Sequence, residues 1–235
     1  MLAVGLSEEE VLPYLERIND NKRIVLACCN SPESVTLSGD RSALVELAKE
    51  FATNAVFARL LQVDVAYHSP FMQVIADRYL VAIEHIRPRV TAVDVTMLST
   101  VTGRPIKPSE LDASYWVQNM CSPVRFLQAL KAALPAQKRS TRRSGSKAAS
   151  IDGMVEIGPH SALKGPLRQT LQGLEAQAFY LSMLIRGENA LVTALEAAAS
   201  LWCHGCPVDL RRANTESDQT VTHRVLSDLP PYPFK

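Results

Sequence analysis

The order of apolar and polar segments in the first sixty or so residues restricts the fold more than any other feature of the sequence. Six segments alternate there as strand, helix, strand, strand, helix and strand. They are the apolar start Met1–Val4, a helix that begins at Ser7, the runs Ile24–Asn30 and Ser34–Ser38, a helix that begins at Asp40, and the extended run Val56–Val63. This is the order of a ferredoxin-like βαββαβ unit. We therefore expect residues 1–62 to form one such subdomain.

Both predicted helices of this unit begin with a residue that can cap them. The hydroxyl of Ser7 can accept a hydrogen bond from the helix backbone while the carboxylate of Glu10 reaches back, which is the pattern of a capping box. The carboxylate of Asp40 can accept from the first turn of the second helix. These caps favour the helix starts that the βαββαβ order requires.

The remainder of the chain alternates between helical and extended segments, which predicts an α/β sheet covered by helices. The predicted helices are Pro70–Ile86, a helix with Pro123 in its first turn and Leu127, Leu130 and Leu134 on one face, a helix opened by Gly158-Pro159-His160-Ser161, and Gly187–His204; the predicted strands are Val93–Leu98, Met154–Ile157 and Phe179–Met183. In the last helix we expect an inward face of Leu191, Ala194, Leu195, Ala198 and Trp202. Residues 137–150 are too polar to bury and predict a surface insertion.

Charge and hydropathy exclude several classes of partner. Twenty-five Lys and Arg against twenty-four Asp and Glu leave a net charge of +1, so the chain has no field that would attract nucleic acid or an anionic membrane. The longest apolar runs are too short to span a bilayer, and the amino terminus lacks the pattern of a signal peptide. These features indicate a cytoplasmic protein.

The five cysteines are odd in number and follow no disulfide-framework spacing, which is typical of a reducing compartment. Cys203-His204-Gly205-Cys206 resembles half of a metal site, but the sequence offers no second ligand pair at metal spacing. We therefore interpret these two cysteines as buried thiols on an apolar helix face, and expect no metal.

His68 is the candidate for chemistry because it lies where an extended apolar run gives way to a predicted helix. At such a junction the backbone can hold one ring nitrogen while the other faces a pocket, as a general base requires. A histidine beside Tyr and Ser is more often a structural residue held by hydrogen bonds, and that interpretation also explains the position. The sequence contains no Gly-x-Ser-x-Gly elbow in a strand-turn-helix context, no phosphate loop and no dinucleotide fingerprint. Taken alone, the residues leave both interpretations of His68 open.

Six motifs resemble, in the right order, the acyltransferase domain (malonyl-CoA:acyl-carrier-protein transacylase) of fungal iterative type I polyketide synthases. They are Asn30-Ser31-Pro32 with Ser34-Val35-Thr36-Leu37-Ser38-Gly39-Asp40, Val65-Ala66-Tyr67-His68-Ser69, Thr100-Val101-Thr102-Gly103, Tyr115-Trp116-Val117-Gln118-Asn119, Pro123-Val124-Arg125-Phe126 and Glu156-Ile157-Gly158-Pro159-His160. The resemblance implies a ferredoxin-like subdomain inserted into an α/β-hydrolase-like subdomain. Residues 63–213 would then be the C-terminal part of the larger subdomain, and residues 214–235 the linker that follows the domain.

The resemblance also assigns roles to residues. His68 falls on the family's catalytic histidine, which works in a Ser-His dyad, and the backbone carbonyl of Asn119 falls where the family orients that imidazole. Val65 and Tyr67 would line the pocket for the extender unit, although both could equally be strand residues that pack in the core. We expect His160 to be structural, and Trp116 and Arg125 to hold the segment that contains Asn119.

The implied reaction loads malonyl units from malonyl-CoA onto an acyl carrier protein, without a cofactor in this domain because the carrier supplies the phosphopantetheine. Neighbouring ketosynthase and dehydratase domains are the expected covalent partners. The family's serine elbow and the arginine that binds the malonyl carboxylate would lie upstream of these 235 residues, so we expect the chain alone to be inactive. The alternatives are a non-catalytic fragment that docks the carrier protein, a truncated pseudo-domain, and a hydrolase relative with another nucleophile.

Overall fold

A computed structural model describes residues 1–18, 23–89, 95–134 and 151–214. The strands are β1 Leu2–Val4, β2 Ile24–Ser31, β3 Ser34–Gly39, β4 Ala58–Leu60, β5 Met97–Ser99, β6 Arg104–Ile106, β7 Gly153–Glu156 and β8 Phe179–Ser182. The α-helices are α1 Glu8–Ile18, α2 Arg41–Thr53, α3 Gln73–Ile83, α4 Ala113–Cys121, α5 Phe126–Ala133, α6 Lys164–Gly173, α7 Ala190–Cys203 and α8 Leu210–Ala213, with 3₁₀ turns at Pro70–Met72 and Pro108–Glu110. The predicted insertion at 137–150 and residues 215–235 of the predicted linker lie outside the described residues.

The chain divides into two compact units. The first comprises Met1–Met154 and Ala162–Tyr180, and the second comprises Val155–Ser161 and Leu181–Lys235. All of the residues that surround His68 belong to the first unit.

The first four strands form the predicted ferredoxin-like sheet. Their order is β2-β3-β1-β4, with every neighbouring pair antiparallel. Apolar side chains of α1 and α2 pack on one face of this sheet, and the cluster is centred on the fully buried Leu2, Leu37, Leu47 and Phe51. The predicted fold of this subdomain is therefore confirmed, although β4 covers only Ala58–Leu60 of the predicted run Val56–Val63.

Both predicted helix caps are present. Glu10 N–H donates to the Ser7 hydroxyl at 3.2 Å, and Ser7 N–H donates to the Glu10 carboxylate at 2.9 Å, which completes the capping box of α1. The Asp40 carboxylate accepts from the N–H of Ala43 at 3.0 Å and caps α2. Two local sequence patterns thus set where the helices of the sheet begin.

Pro123 does not lie in the first turn of a helix, contrary to the sequence prediction. Helix α5 begins three residues later, at Phe126. The intervening Val124 pairs with strand β2: its N–H donates to the Ala27 carbonyl at 2.7 Å, and its carbonyl accepts from Cys29 N–H at 2.9 Å. Backbone pairing outside a helix has therefore overridden the local preference of proline for a first turn. The predicted apolar face of α5 is confirmed, since Leu127, Leu130 and Leu134 are buried.

Strands β7 and β8 form a two-stranded sheet joined by α6. Phe179 N–H donates to the carbonyl of Asp152, and Met183 N–H donates to that of Glu156, both at 3.0 Å. The separation along the chain is the same in both bonds, so the strands run parallel and the segment is a βαβ unit. This agrees with the α/β class predicted from the alternation of elements.

The predicted inward face of α7 is partly wrong. Leu191 is 66% exposed and Trp202 is 57% exposed, whereas the buried positions are Thr193 and Ala197. Almost every position of this helix is small or apolar, so spacing alone could not identify the buried stripe.

Cys203, predicted to be a buried thiol, is exposed. Within the described residues, no helix is long and apolar enough to cross a membrane.

Candidate functional site

His68 sits on an irregular, exposed segment between β4 and the 3₁₀ turn that precedes α3. Its backbone φ is 58°, in the left-handed region that few residues other than glycine adopt. Two hydrogen bonds fix this conformation: His68 N–H donates to the Met120 carbonyl at 3.1 Å, and the buried Ser69 hydroxyl donates to the Ala66 carbonyl at 2.5 Å. Left-handed backbone of this kind concentrates at functional sites, where neighbouring structure holds it in place.

The imidazole is oriented by the end of helix α4. Its Nδ1 lies 3.0 Å from the Asn119 carbonyl oxygen and 3.2 Å from that of Ser122. Both partners can only accept, so Nδ1 must carry the hydrogen, and in the neutral ring the lone pair is on Nε2. This is the tautomer that a general base acting through Nε2 requires.

Two of the three acceptors around His68, the Asn119 and Met120 carbonyls, belong to the last turn of α4, and the third belongs to Ser122, the extended residue that follows the helix. The last carbonyls of a helix lack partners within the helix. At the end of α4, His68 donates to three carbonyls of this region, through its backbone N–H to Met120 and through Nδ1 to Asn119 and Ser122. The same end of a helix carries a partial negative charge, which stabilises positive charge that develops on the ring.

Sequence reasoning located the Asn119 carbonyl but missed the Ser122 carbonyl and helix α4 itself. A signal for the helix was present, because Asp112 precedes an uninterrupted helix-compatible segment that ends before Pro123. In the structure, the Asp112 carboxylate caps α4 by accepting from Tyr115 N–H at 3.0 Å. The spacing from this cap to Pro123 sets which carbonyls are left unpaired.

One side-chain contact ties α4 to β5, and one backbone contact holds the segment that follows α4. The buried Tyr115 hydroxyl hydrogen-bonds with Ser99 Oγ at 3.0 Å, and Trp116 packs edge-on against the Tyr115 ring at 5.2 Å. Arg125, which we expected to hold this segment through packing or an ion pair, donates its backbone N–H to the Thr100 carbonyl at 2.6 Å.

Val65 and Tyr67 lie on the same exposed segment as His68. Val65 is 42% exposed and Tyr67 is 44% exposed. The Tyr67 ring centroid is 6.5 Å from that of the His68 imidazole. Val65 also lines a pocket of about 210 Å³ that is bounded by the end of β4 and the start of α2.

Other candidate groups in the described residues do not form a second reactive centre. Burial raises the pKa of the Cys28 and Cys29 thiols to about 11, so both are protonated at neutral pH. The His160 Nδ1 accepts the backbone N–H of Arg186 at 3.3 Å, as expected of a structural turn residue. The described residues include no group of three His, Cys, Asp or Glu side chains placed to hold a metal.

Comparisons with known proteins agree on one family. The sequence model of the acyl transferase domain matches residues 1–207. The highly reducing polyketide synthase Preu1 of Preussia isomera is 45% identical over 237 residues, and the highly reducing polyketide synthase alnA of Emericella nidulans is 43% identical over 242. Each alignment covers 100% of this chain and 10% of the relative, so the chain spans about a tenth of the length of these synthases.

Solved structures give the same result for the fold. The acyltransferase domain from module 8 of the salinomycin polyketide synthase has a TM-score of 0.76 at 31% identity, over 89% of this chain and 46% of that one. A loading acyltransferase of the avermectin polyketide synthase has a TM-score of 0.71 at 29% identity, over 86% of this chain and 58% of that one. The chain therefore corresponds to about half of each of these structures.

Proposed function

The chain belongs to the acyl transferase domain family found in fungal highly reducing polyketide synthases, and from this premise we propose that it supplies the base of a Ser-His dyad. The dyad would transfer malonyl units from malonyl-CoA to an acyl carrier protein. The observation that carries the proposal is the hydrogen bonding of His68 Nδ1 to two backbone carbonyls, which leaves Nε2 as the basic nitrogen. The serine would come from a segment outside these 235 residues, since the sequence holds no serine elbow.

In the first half-reaction, Nε2 of His68 takes the proton of the serine hydroxyl as the oxygen attacks the malonyl thioester carbonyl. The C–S bond then breaks, and the proton on Nε2 passes to the departing CoA sulfur. In the second half-reaction, Nε2 takes the proton of the carrier's phosphopantetheine thiol, and the sulfur attacks the malonyl-serine ester. The serine oxygen leaves and recovers the proton from Nε2.

The backbone carbonyls at the end of α4 have a double role in this scheme. They fix the tautomer, and their dipoles stabilise the imidazolium that exists between the two proton transfers. Tyr67, whose ring lies 6.5 Å from the imidazole, and Val65 on the same exposed segment are the proposed determinants of the extender unit, with malonyl as the proposed substrate. The scheme needs no metal and no cofactor in this domain, and the proposed location is the cytoplasm.

The domain organisation is part of the same proposal. Residues 1–62 would be the inserted ferredoxin-like subdomain, residues 63–213 part of the larger acyltransferase subdomain, and residues 214–235 the following linker. Ketosynthase and dehydratase domains of the same synthase would flank it.

A segment exchange tests the function. The matching 237-residue segment of the Preussia isomera synthase would be replaced by this chain to give a hybrid synthase, with the unmodified synthase as reference. We expect the hybrid to load malonyl onto its carrier, measured by intact mass of the carrier protein. In the hybrid, His68→Ala should lower the transfer rate by about 10²–10⁴-fold, as loss of a general base does.

Two outcomes contradict the proposal. Retention of normal transfer kinetics by the His68→Ala hybrid would exclude His68 as the base. We expect the mass of the isolated 235-residue chain to stay unchanged when it is incubated with malonyl-CoA. Acylation of that chain would show that it contains its own nucleophile. Circular dichroism of each variant serves as the control for folding.

A further inference from the structure

The segment that joins α4 to α5 is attached to the ferredoxin-like subdomain. It comprises residues 122–125, and within it Val124 makes two backbone hydrogen bonds with strand β2. Its N–H donates to the Ala27 carbonyl at 2.7 Å, and its carbonyl accepts from Cys29 N–H at 2.9 Å. The two bonds form a parallel bridge at an outer strand of the four-stranded sheet. Residues next to Val124 along the chain are therefore held by this sheet.

Ser122, two residues before Val124, supplies one of the two carbonyls that accept from His68 Nδ1. Its N–H donates to the Gln118 carbonyl at 2.8 Å, which ties its amino side to α4. Its ψ is 156°, in the extended range that a residue before proline prefers because the proline ring clashes with the helical conformation. Since ψ sets the direction of a residue's own carbonyl, Pro123 helps to hold the Ser122 oxygen 3.2 Å from Nδ1.

The imidazole is attached to the same sheet at its opposite edge. In the order β2-β3-β1-β4 the outer strands are β2 and β4. His68 follows the last residue of β4, Leu60, by eight residues, and Val124 pairs with β2. The strands between these edges are hydrogen-bonded to each other and pack on a buried core, so the sheet resists deformation. One sheet therefore connects the ring to the segment that carries one of its acceptors.

We propose that Pro123 and Val124 are positioning residues for the base, through which the ferredoxin-like subdomain holds the Ser122 carbonyl on His68 Nδ1. The proposal rests on the acyl-transfer function above and gives this subdomain a role in orienting the base. Val124 acts through its two backbone hydrogen bonds, and Pro123 acts through the restriction that its ring places on Ser122. The Asn119 carbonyl remains as the other acceptor, so loss of the bridge weakens the orientation of the ring without abolishing it.

Nitrogen NMR of the 235-residue chain measures this orientation without turnover. The ring nitrogen shifts report which nitrogen carries the hydrogen in the neutral imidazole, and His68→Ala identifies the signals of His68 among those of the five histidines. We expect the hydrogen on Nδ1 in the unmodified chain. Val124→Pro removes the N–H that donates to Ala27 and should raise the ratio of the Nε2–H to the Nδ1–H tautomer by about fivefold, the effect of weakening one hydrogen bond.

A second variant tests the link without removing a hydrogen-bond donor. Proline has no N–H, so Pro123→Gly costs no donor, yet it frees ψ of Ser122. It should raise the same tautomer ratio by about twofold.

Two controls separate positioning from general loss of structure. Val124→Ala keeps both backbone bonds of the bridge and should leave the ratio unchanged. Leu47→Ala removes a fully buried side chain of α2 from the core of the same subdomain, so it lowers stability while the bridge remains. It should also leave the ratio unchanged.

The kinetic test uses the hybrid synthase. Val124→Pro should lower kcat for malonyl transfer by about tenfold with KM for malonyl-CoA unchanged, because a misoriented base weakens the transition state and not substrate binding. Val124→Ala and Leu47→Ala should keep the kcat of the unmodified hybrid.

The outcomes distinguish this inference from the proposed function. If the unmodified hybrid carries out no transfer, the function fails, and the tautomer ratio alone decides the positioning role. An unchanged ratio in folded Val124→Pro and Pro123→Gly overturns the inference and assigns the support of Ser122 to the bond between Arg125 N–H and the Thr100 carbonyl. An equal change in Leu47→Ala, or an unchanged kcat in an active Val124→Pro hybrid, overturns it as well. If Val124→Pro does not fold, Pro123→Gly decides.

Discussion

Replacing His68 by Gly should give a more stable chain than replacing it by Ala, although both variants lack the imidazole. The reason is the backbone conformation at this position, where φ is 58°. His68 N–H donates to the Met120 carbonyl, and the hydroxyl of the next residue, Ser69, donates to the Ala66 carbonyl, so the surrounding contacts impose the left-handed conformation. Glycine adopts it freely, and alanine does not.

Two opposing terms set the size of the difference. A left-handed conformation costs an alanine about 1–2 kcal/mol relative to glycine. Glycine gains about 0.4–1 kcal/mol more conformational entropy in the unfolded chain, which acts against the glycine variant. The net expectation is that the free energy of unfolding is about 1 kcal/mol higher for His68→Gly than for His68→Ala. His68→Asn should lie between them, because asparagine tolerates this region better than alanine.

Chemical denaturation of the 235-residue chain measures these differences, with equal slopes of free energy against denaturant as the check that the variants unfold in the same way. Equal or greater stability of His68→Ala would refute the reasoning, since it would mean that the backbone relaxes to negative φ once the imidazole is gone. In the hybrid synthase both variants should have lost acyl transfer to the same degree.

Four further predictions follow from single contacts. Asn119→Ala should change acyl transfer by the hybrid less than about threefold, because the backbone carbonyl that holds the imidazole remains; a complete loss in a folded variant would implicate the side chain. Gly39→Ala should lower the free energy of unfolding by about 3–5 kcal/mol, since φ is +153° and the added carbon would lie 2.0 Å from a backbone carbonyl oxygen. A decrease of less than about 1 kcal/mol, measured by chemical denaturation, would contradict this prediction. The Ser42 hydroxyl, and next to it the α2 backbone, lower the pKa of Asp40 to about 2. The contribution of this carboxylate to stability is therefore complete above pH about 4 and disappears toward pH 2. The stability of Asp40→Asn, measured over the same acid range, should lack this part of the pH dependence. Iodoacetamide at pH 8 should label the exposed Cys203 well before the two thiols of β2, whose pKa values are raised to about 11, as peptide mass mapping can show.

The ferredoxin-like subdomain was predictable because its information is local. The capping residues Ser7 and Asp40 mark the helix starts, and the apolar spacing of each strand and helix is compatible with only one buried face. The order βαββαβ then leaves few arrangements, and the observed order β2-β3-β1-β4 is among them.

The errors occurred where contacts distant in sequence decide the outcome. Val124 pairs with strand β2, almost a hundred residues earlier, and no local pattern indicates that Pro123 lies before a bridge rather than inside a helix. Helix α7 is apolar on nearly every side, so its buried face depends on what it packs against, and Leu191 and Trp202 were assigned to the wrong side. Neither error arose because the local preference of a residue for helix or strand was misread.

The contacts that hold His68 differ from those that the sequence argument assumed. The sequence argument placed it at a junction between a strand and a helix. In the structure, β4 ends eight residues earlier, and what fixes the imidazole is the end of α4, which comes about fifty residues later. A family resemblance could supply the Asn119 carbonyl, because it transfers a motif; it could not supply the three-carbonyl arrangement, because that depends on where α4 ends.

This origin of the acceptors has a consequence for how the base tolerates change. The Asn119 and Met120 carbonyls are held by the helix and the Ser122 carbonyl by the backbone that follows it, so the ring is oriented without freezing any further side chain. Side-chain substitutions from Asn119 to Ser122 leave all three acceptors in place. The length of α4 matters instead, because an inserted residue between the Asp112 cap and Pro123 would rotate the last carbonyls by about 100° around the helix axis and present others to Nδ1. The orientation of the proposed catalytic base is therefore specified by a residue count and a cap more than by the identity of any residue that it touches.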